Sequence, residues 1–594
     1  MKLSKLYTNF PDKFEPIEFN DGFNVVIGEI RIEKNKNQDS HNLGKSKLAD
    51  VIDFCLLKKR TKTDFLFKHF ELFEKFTFYI EVKLNSGDFL TIRRSVKENS
   101  KISFIKHNVR FQDYSNLSDD GWTYLKIPFA KAKVFLDSLL NLSSIGEWNY
   151  RNALGYSLRK QEDFTDVFKL DKFRGNHIQW KPFLGHILGF NALQLTKNYE
   201  LKSLLDKLND EIKELETQLG LKASDDEALH DALANNKSKA ERIQKQLDSF
   251  DFSESDSRLV EEISSEFDEE LEELNRTRYY LKSNIRELNK SLSSAPSNFN
   301  IKTTQLLFEQ AGVLFGEQIS KTYEQLVDFN NKITVERSKY VEKQILELEE
   351  QLTDVVESID NLHKEKSLKA ASLQQSDLFE KFKSLSRDLI LINIEINEIN
   401  RKLELANLIK DKNKEHRKLS DDKQDIFDAI LLDRESVTQS ESNVYKKIKD
   451  NFSNFVETVL SKTGSIKTIQ NEEGNLDFFA GFYNNSFEFT SESDGHSYKK
   501  ILCIAYDLAV CTAYQDKSYM RFLYHDGALE TLDNRKKINF LNYIRSECET
   551  SNNQYIITVI DSDIPRGFSF DDSEIILNLH DEGTDGLLFK MPPW

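Results

Sequence analysis

A chain of 594 residues is too long for one ordinary domain. With 39% hydrophobic and 30% charged residues, much of it must lie on solvated surface, as in long helices with one apolar stripe. The net charge of −17 excludes a generally basic surface, so affinity for nucleic acid would require local basic patches. No stretch reaches the ~18 uninterrupted apolar residues of a membrane span, and the N-terminus has no signal-peptide pattern. Cys55, Cys503, Cys511 and Cys548 form no CxxC pair and read as reduced thiols in a cytoplasmic core.

Residues 1–194 begin with alternating runs that read as hairpin strands, Phe76–Leu84 and Phe89–Arg94 among them. Gly22–Gly28 reads as a strand ending in glycine. Downstream, His41-Asn42-Leu43-Gly44-Lys45-Ser46 opens an apolar helical segment. A phosphate loop needs glycine amides, a lysine for the β/γ-phosphates and a hydroxyl for Mg²⁺, and Gly28, Asn42, Gly44, Lys45 and Ser46 offer these. Fifteen residues separate Gly28 from Gly44, where the usual motif has four, so EIRIEKNKNQDSH reads as a charged insertion. Basic clusters at Lys58-Lys59-Arg60-Lys62 and Arg93-Arg94 are candidate phosphate contacts for DNA.

Between residues 183 and 564 the only proline is Pro296, which permits very long helices. Leu201, Leu205, Leu208, Ile212, Leu215 and Leu219 step by 4, 3, 4, 3, 4, and the rhythm returns at Leu281–Leu292, Ile345–Leu362 and Leu385–Leu403. A 3.5-residue period with charges between is a coiled-coil seam. The expected arms run over 195–295 and 332–450, folding back antiparallel about an apex at 296–331. At ~100 residues each they would extend roughly 150 Å. Ser249–Ser257 reads as an elbow, and the apex, having no cysteine, carries no zinc hook.

Residues 451–594 alternate strands and helices again. Arg521–Asp526 is an apolar strand ending in a carboxylate suited to Mg²⁺, and Ser493-Asp494-Gly495-His496 precedes a long apolar helix. The order phosphate loop, Gln161 loop, coil hairpin, Ser493/Gly495 loop, Asp526 strand and Leu532-Asp533 resembles the SMC and RecN class of ABC ATPases. The inserted phosphate loop, the SDGH segment and LLFEQAGVLF are similar to the SMC-like subunit of bacterial three-component ABC anti-phage systems of the Lamassu type.

The resemblance implies an α/β ABC-type P-loop ATPase head split into N- and C-terminal lobes, with a long antiparallel coiled-coil insertion. It implies ATP and Mg²⁺ as cofactors, with Ser46, Gln161 and Asp526 at the metal. Gln161, Ser493, Gly495 and Asp533 join Gly28, Asn42, Gly44, Lys45 and Ser46 at the nucleotide, and Ser493 would act on the opposite subunit of a head-to-head dimer. Implied partners are a second copy, DNA, a small middle subunit and an effector, in that family often a nuclease; no membrane is implied. Two departures stand out: Gly527 replaces the usual catalytic Glu, and the switch His is missing near Ile560. Hydrolysis is therefore expected to be slow or partner-dependent, with Asp526 and Glu530 in the catalytic role. Asp561 and Asp563 are alternatives for activating water. Gly527→Glu is expected to leave binding intact and, if it restores the missing carboxylate, to speed turnover and shorten the closed state. The alternatives are a DNA-repair ATPase of the same class and a non-hydrolysing coiled-coil scaffold with a vestigial head.

Overall fold

The computed structural model describes residues 1–32, 43–173, 175–220, 226–250, 254–293, 339, 341–365, 377–484, 489–530, 532–592 and 594. It divides into two units. Unit 1 combines Met1–Glu214 with Asp411–Trp594, and unit 2 is Leu215–Lys410. Asn42, the middle of the inserted loop and the apex at 296–331 lie outside the described residues.

The strands are β1 (Lys2–Thr8), β2 (Ile17–Glu18), β3 (Phe23–Glu29), β4 (Thr77–Lys83), β5 (Phe89–Ser95), β6 (Lys101–His107), β7 (Tyr124–Pro128), β8 (Leu158–Arg159), β9 (Gly464–Gln470), β10 (Leu476–Phe482), β11 (Phe522–His525), β12 (Gln554–Ile560) and β13 (Ile575–His580). The helices used below are α1 (Lys45–Cys55), α2 (Phe129–Leu140), α3 (Tyr150–Ser157), α4 (Ala192–Leu219), α5 (Asp226–Asp248), α6 (Glu254–Ser293), α7 (341–365), α8 (Asp377–Gln439), α9 (Val444–Leu460), α10 (His496–Ala513) and α11 (Asn534–Thr550).

Unit 1 holds an antiparallel sheet ordered β2-β1-β4-β5-β6-β7 and a parallel sheet ordered β13-β3-β12-β11-β8. The parallel sheet joins the two ends of the sequence, because β3 lies between β12 and β13. Its central strands read as continuous apolar runs, FNVVIGE and QYIITVI, as strands covered on both faces do. Helix α10 is buried from Lys500 to Cys511 and packs against α9. Cys55, Cys503 and Cys511 are buried and all four cysteines are free.

In unit 2 the heptad positions turn inward. Leu219, Leu281, Ile345, Ile359 and Leu403 are buried, whereas Tyr280, Leu346 and Leu391, one step off the seam or further, are exposed. Helix α5 ends at Asp248, one residue before the expected elbow, and α6 begins at Glu254, within it. Asn236 Nδ2 donates to Glu395 (3.0 Å), and Phe250 meets Phe382 edge-on at 5.8 Å. Moving up one partner thus means moving down the other, so α5 and α8 run antiparallel. Among the described residues no helix is long and apolar enough to cross a membrane.

Candidate functional site

At the carboxyl edge of the parallel sheet, β3 delivers Gly28, β8 leads into Gln161 and β11 delivers Asp526. Helix α1 starts at Lys45 with Gly44 as its N-cap, at φ 93°, a left-handed conformation that suits glycine. A Cβ on Gly44 would also lie 2.8 Å from Leu588 Cβ. Gly28 serves by its bareness: a Cβ there would sit 3.0 Å from Lys45 Cδ, so the lysine stem passes directly over it. The Lys47 and Leu48 amides donate to the Gly44 carbonyl at 2.9 and 3.3 Å, which leaves those of Lys45 and Ser46 as the helix-start amides that favour an anion.

Lys45, Ser46, Gln161, Asp526, Gly527, Glu530, Thr558 and Asp563 line one cavity of about 20 Å³, a space for a water-sized group. Burial lowers the Lys45 ammonium below its ordinary value, while Asp526, Glu530, Asp563 and Asp561 oppose that shift. Ser46 Oγ donates to Asp526 Oδ2 at 2.7 Å. Thr558, on β12, donates to Asp526 Oδ1 and accepts the Gly527 amide at 2.9 Å, so one hydroxyl fixes both residues of the turn.

The turn after β11 departs from expectation. Gly527 has φ 65°, and a Cβ on it would fall 2.6 Å from Glu530 Oε1. The space that a residue-527 side chain would enter is thus occupied by the Glu530 carboxylate. Lys500, buried on α10, donates to Glu530 Oε2 at 2.8 Å and to the Gly527 carbonyl at 3.0 Å. Gln161 Nε2 approaches Glu530 Oε1 at 3.3 Å. A side chain at residue 527 would be strained by the left-handed φ and would have to displace the Glu530 carboxylate, the movable end of a flexible side chain. Of the alternatives, Asp563 lines the cavity but pairs with Lys537 at 2.8 Å, and Asp561 accepts the Ser562 amide.

Ser46 and Asp526 present hard oxygen donors side by side, a set that suits Mg²⁺. Among the described residues no group of three or more His, Cys, Asp or Glu could hold a metal. A cation here would therefore depend on phosphate oxygens and water for its remaining ligands.

The other proposed contacts lie away from this cavity within the chain. Ser493, on the turn Ser491–Asp494 before α10, is buried and donates to the Thr490 carbonyl at 2.8 Å. Gly495 caps α10 with an ordinary φ of −60°. Asp533 caps α11, accepting the Lys536 amide at 3.0 Å. Arg94 is corrected as a DNA contact. It is 1% exposed and donates to the carbonyls of Phe54, Lys58 and Asn99. Arg93 pairs with Asp119 at 2.9 Å and lies over Trp122.

A buried network behind Asp526 escaped the sequence reading. Arg159, on β8, pairs with Asp507 of α10 through Nε (2.7 Å) and a second nitrogen (2.9 Å), both side chains being fully buried. Its guanidinium also donates to the carbonyls of Asp163, Asp166 and Val167, pinning the loop that follows Gln161. Asp507 Oδ2 lies 3.1 Å from His525 Nε2, and His525 Nδ1 lies 2.7 Å from the Tyr555 hydroxyl. Burial first of all lowers the His525 pKa, against the pull of Asp507. A neutral ring satisfies every partner if Nε2–H donates to the carboxylate and Nδ1 accepts from Tyr555. The available signal was one acid inside an apolar helix and one arginine inside a strand, charges that must find each other if buried.

Residues 455–593 match the family model described as "Uncharacterised protein conserved in bacteria (DUF2326)". No curated protein matches the chain. Among solved structures, the chain is similar to the Smc head domain with a coiled coil and joint derived from Pyrococcus yayanosii, at 15% identity over 94% of this chain and 92% of that one, with a TM-score of 0.33. It is also similar to the Smc head domain with an extended coiled coil bound to the C-terminal domain of ScpA from Pyrococcus furiosus, at 12% identity, 95% and 90% coverage and a TM-score of 0.34. A third is the SmcHead bound to the C-winged helix domain of ScpA, at 10% identity, 95% and 91% coverage and a TM-score of 0.33.

Proposed function

We propose that unit 1 is an ABC-type ATP-binding head of the SMC-like class and that it hydrolyses ATP slowly. The observation that carries this reading is the convergence of Lys45, Ser46, Gln161, Asp526 and Glu530 on one cavity, although 485 positions separate the first from the last in sequence. Lys45 and the α1 amides hold the triphosphate, with Gly28 and Gly44 leaving room for them and Asn42 contributing from the inserted loop. Ser46, Asp526 and Gln161 would hold Mg²⁺, which would neutralise phosphate charge. Glu530 takes the place of the missing carboxylate and orients the attacking water. Lys500 and Gln161 already engage its oxygens, at 2.8 and 3.3 Å, and compete with the water for them, which accounts for slow turnover.

Ser493 and Gly495 of a second copy close the pocket from the other side, with Asp533 at the seam, so ATP acts chiefly as a dimerising ligand. The coil carries this head closure towards DNA. The narrower reading is control of an effector, through a small middle subunit, in bacterial defence within the cytoplasm. Single-turnover hydrolysis tests the chemistry. Glu530→Gln should keep ATP affinity and lose roughly 10²–10⁴-fold in rate, whereas Lys45→Ala should lose binding itself. An unchanged rate in Glu530→Gln would refute the role of that carboxylate; no turnover in the wild type, with and without DNA, would favour a binding-only scaffold.

A further inference from the structure

A second, open groove in unit 1 has a volume of about 860 Å³, within the range of small-ligand sites. It is lined by Asp53 of α1 and the loop after that helix, by Lys133 of α2, by α3 and by the stretch from Lys160 to Phe173. Its cations divide into two sets. Lys58, Arg151 and Lys160 are matched by carboxylates: Asp64 at 2.6 Å, Asp53 at 2.7 Å and Asp50 at 2.7 Å. Lys59, Lys133 and Lys172 have no ion-pair partner among the described residues.

Arg151 acts on both Lys133 and Lys172, although Asp53 and Asp163 oppose it at Lys172. Partial burial pushes the Lys133 ammonium below its ordinary value, and the Arg151 and Lys59 cations push it further, with Asp137 opposing. In a chain whose net charge is −17, a hollow in which lysines repel one another has a positive potential that an anion relieves. The lining also contains Glu162, Asp163 and Asp171. Those carboxylates, Asp163 acting directly on Lys172, oppose a continuous phosphodiester backbone more than a compact anion, which needs to meet only the ammonium groups.

We propose that this groove binds a small di- or triphosphate-bearing anion through Lys59, Lys133 and Lys172, at a site separate from the cavity at Lys45. Three flexible ammonium groups suit such a ligand, each providing rotatable donors to phosphate oxygens. The two sites adjoin in sequence, since Lys160 lines the groove and Gln161 the nucleotide cavity.

Calorimetric titration of the full-length protein with inorganic tripolyphosphate tests the proposal. The wild type should show two classes of site, and Lys45→Ala should retain one of them. The triple variant Lys59→Ala/Lys133→Ala/Lys172→Ala should lose that retained class by about 30-fold or more while still binding ATP at Lys45. Should the triple variant fail to fold, the three single variants should each show a graded loss. Loss of all tripolyphosphate binding in Lys45→Ala, or unchanged binding in the triple variant, would overturn the second site. A short DNA duplex supplies the other arm. If it binds Lys45→Ala and not the triple variant, while tripolyphosphate does not bind, the groove serves nucleic acid and the small-anion assignment is wrong.

Discussion

Gly527 and Glu530 act as a pair, since a bare backbone at one leaves the space that the other fills. Gly527→Ala is the sparest test. A left-handed φ costs a residue with a Cβ about 1–2 kcal/mol, and the new methyl must displace the Glu530 carboxylate. The expected outcome is a modest loss of thermal stability, ATP affinity close to wild type and turnover reduced towards that of Glu530→Gln. Faster turnover in Gly527→Ala or Gly527→Glu would mean that Glu530 is not the working group. Asp53 makes a pH-dependent contribution nearby. Burial opposes its charge, yet Arg151 and Lys160 hold it well below the usual carboxylate range. A depressed acid contributes stability above its unfolded value, about 3.9, and loses it as pH falls through the folded value. Asp53→Asn should therefore lower the melting temperature clearly at pH 7, and the difference from wild type should shrink below about pH 4. A difference that stays constant down to pH 3 would remove the ion pairs as its cause. Lys45 and Ser46 were legible as chemistry because a Gly-Lys-Ser opening of a helix is a local pattern. Thr558 was not, because its role depends on lying beside Asp526 on the next strand.

Elements differ in how far one-dimensional spacing can describe them. A coiled-coil seam repeats along the chain, so Leu281, Ile345, Ile359 and Leu403 could be read as buried from period alone. The strand order β13-β3-β12-β11-β8 could not, because each neighbour comes from a distant stretch. The same holds for the lock between β8 and α10, where Arg159 and Asp507 stand 348 positions apart. Neither residue touches water, so removing one strands the other, a loss of about 3–5 kcal/mol. Asp507→Asn should consequently destabilise unit 1 strongly, and Arg159→Met combined with Asp507→Leu should recover much of that loss. Turnover should not recover with it, because the carbonyls of Asp163, Asp166 and Val167 would still lack the donor that holds the Gln161 loop. Melting curves and single-turnover rates on the wild type and these two variants separate stability from positioning. If the double variant hydrolyses ATP like wild type, the network only supports the fold.

At the scale of the whole molecule, the chain's two ends share one sheet while its middle forms a separate unit. β3 pairs on both sides with strands that follow residue 553, so unit 1 cannot assemble from either end alone. Its two helical entry points are also tied together. Lys412 Nζ lies 2.8 Å from Glu211 Oε2, and the Asn191 amide donates to Asp433 at 2.7 Å. A short flexible linker, reaching about 5–6 Å times the square root of its residue number, should therefore join Glu214 to Asp411 without strain. Replacing Leu215–Lys410 by about ten Gly and Ser residues should leave unit 1 folded, with a cooperative melting transition and wild-type ATP affinity. The helical circular-dichroism signal should fall by the share that unit 2 contributes. Expressing 1–214 and 411–594 as separate chains should give neither a folded nor an ATP-binding product until the two are mixed. If the linked form melts without cooperativity, or binds ATP more than about tenfold more weakly, unit 2 would be needed to form the site. The covalent closure of the two ends around β3 would then be insufficient to account for it.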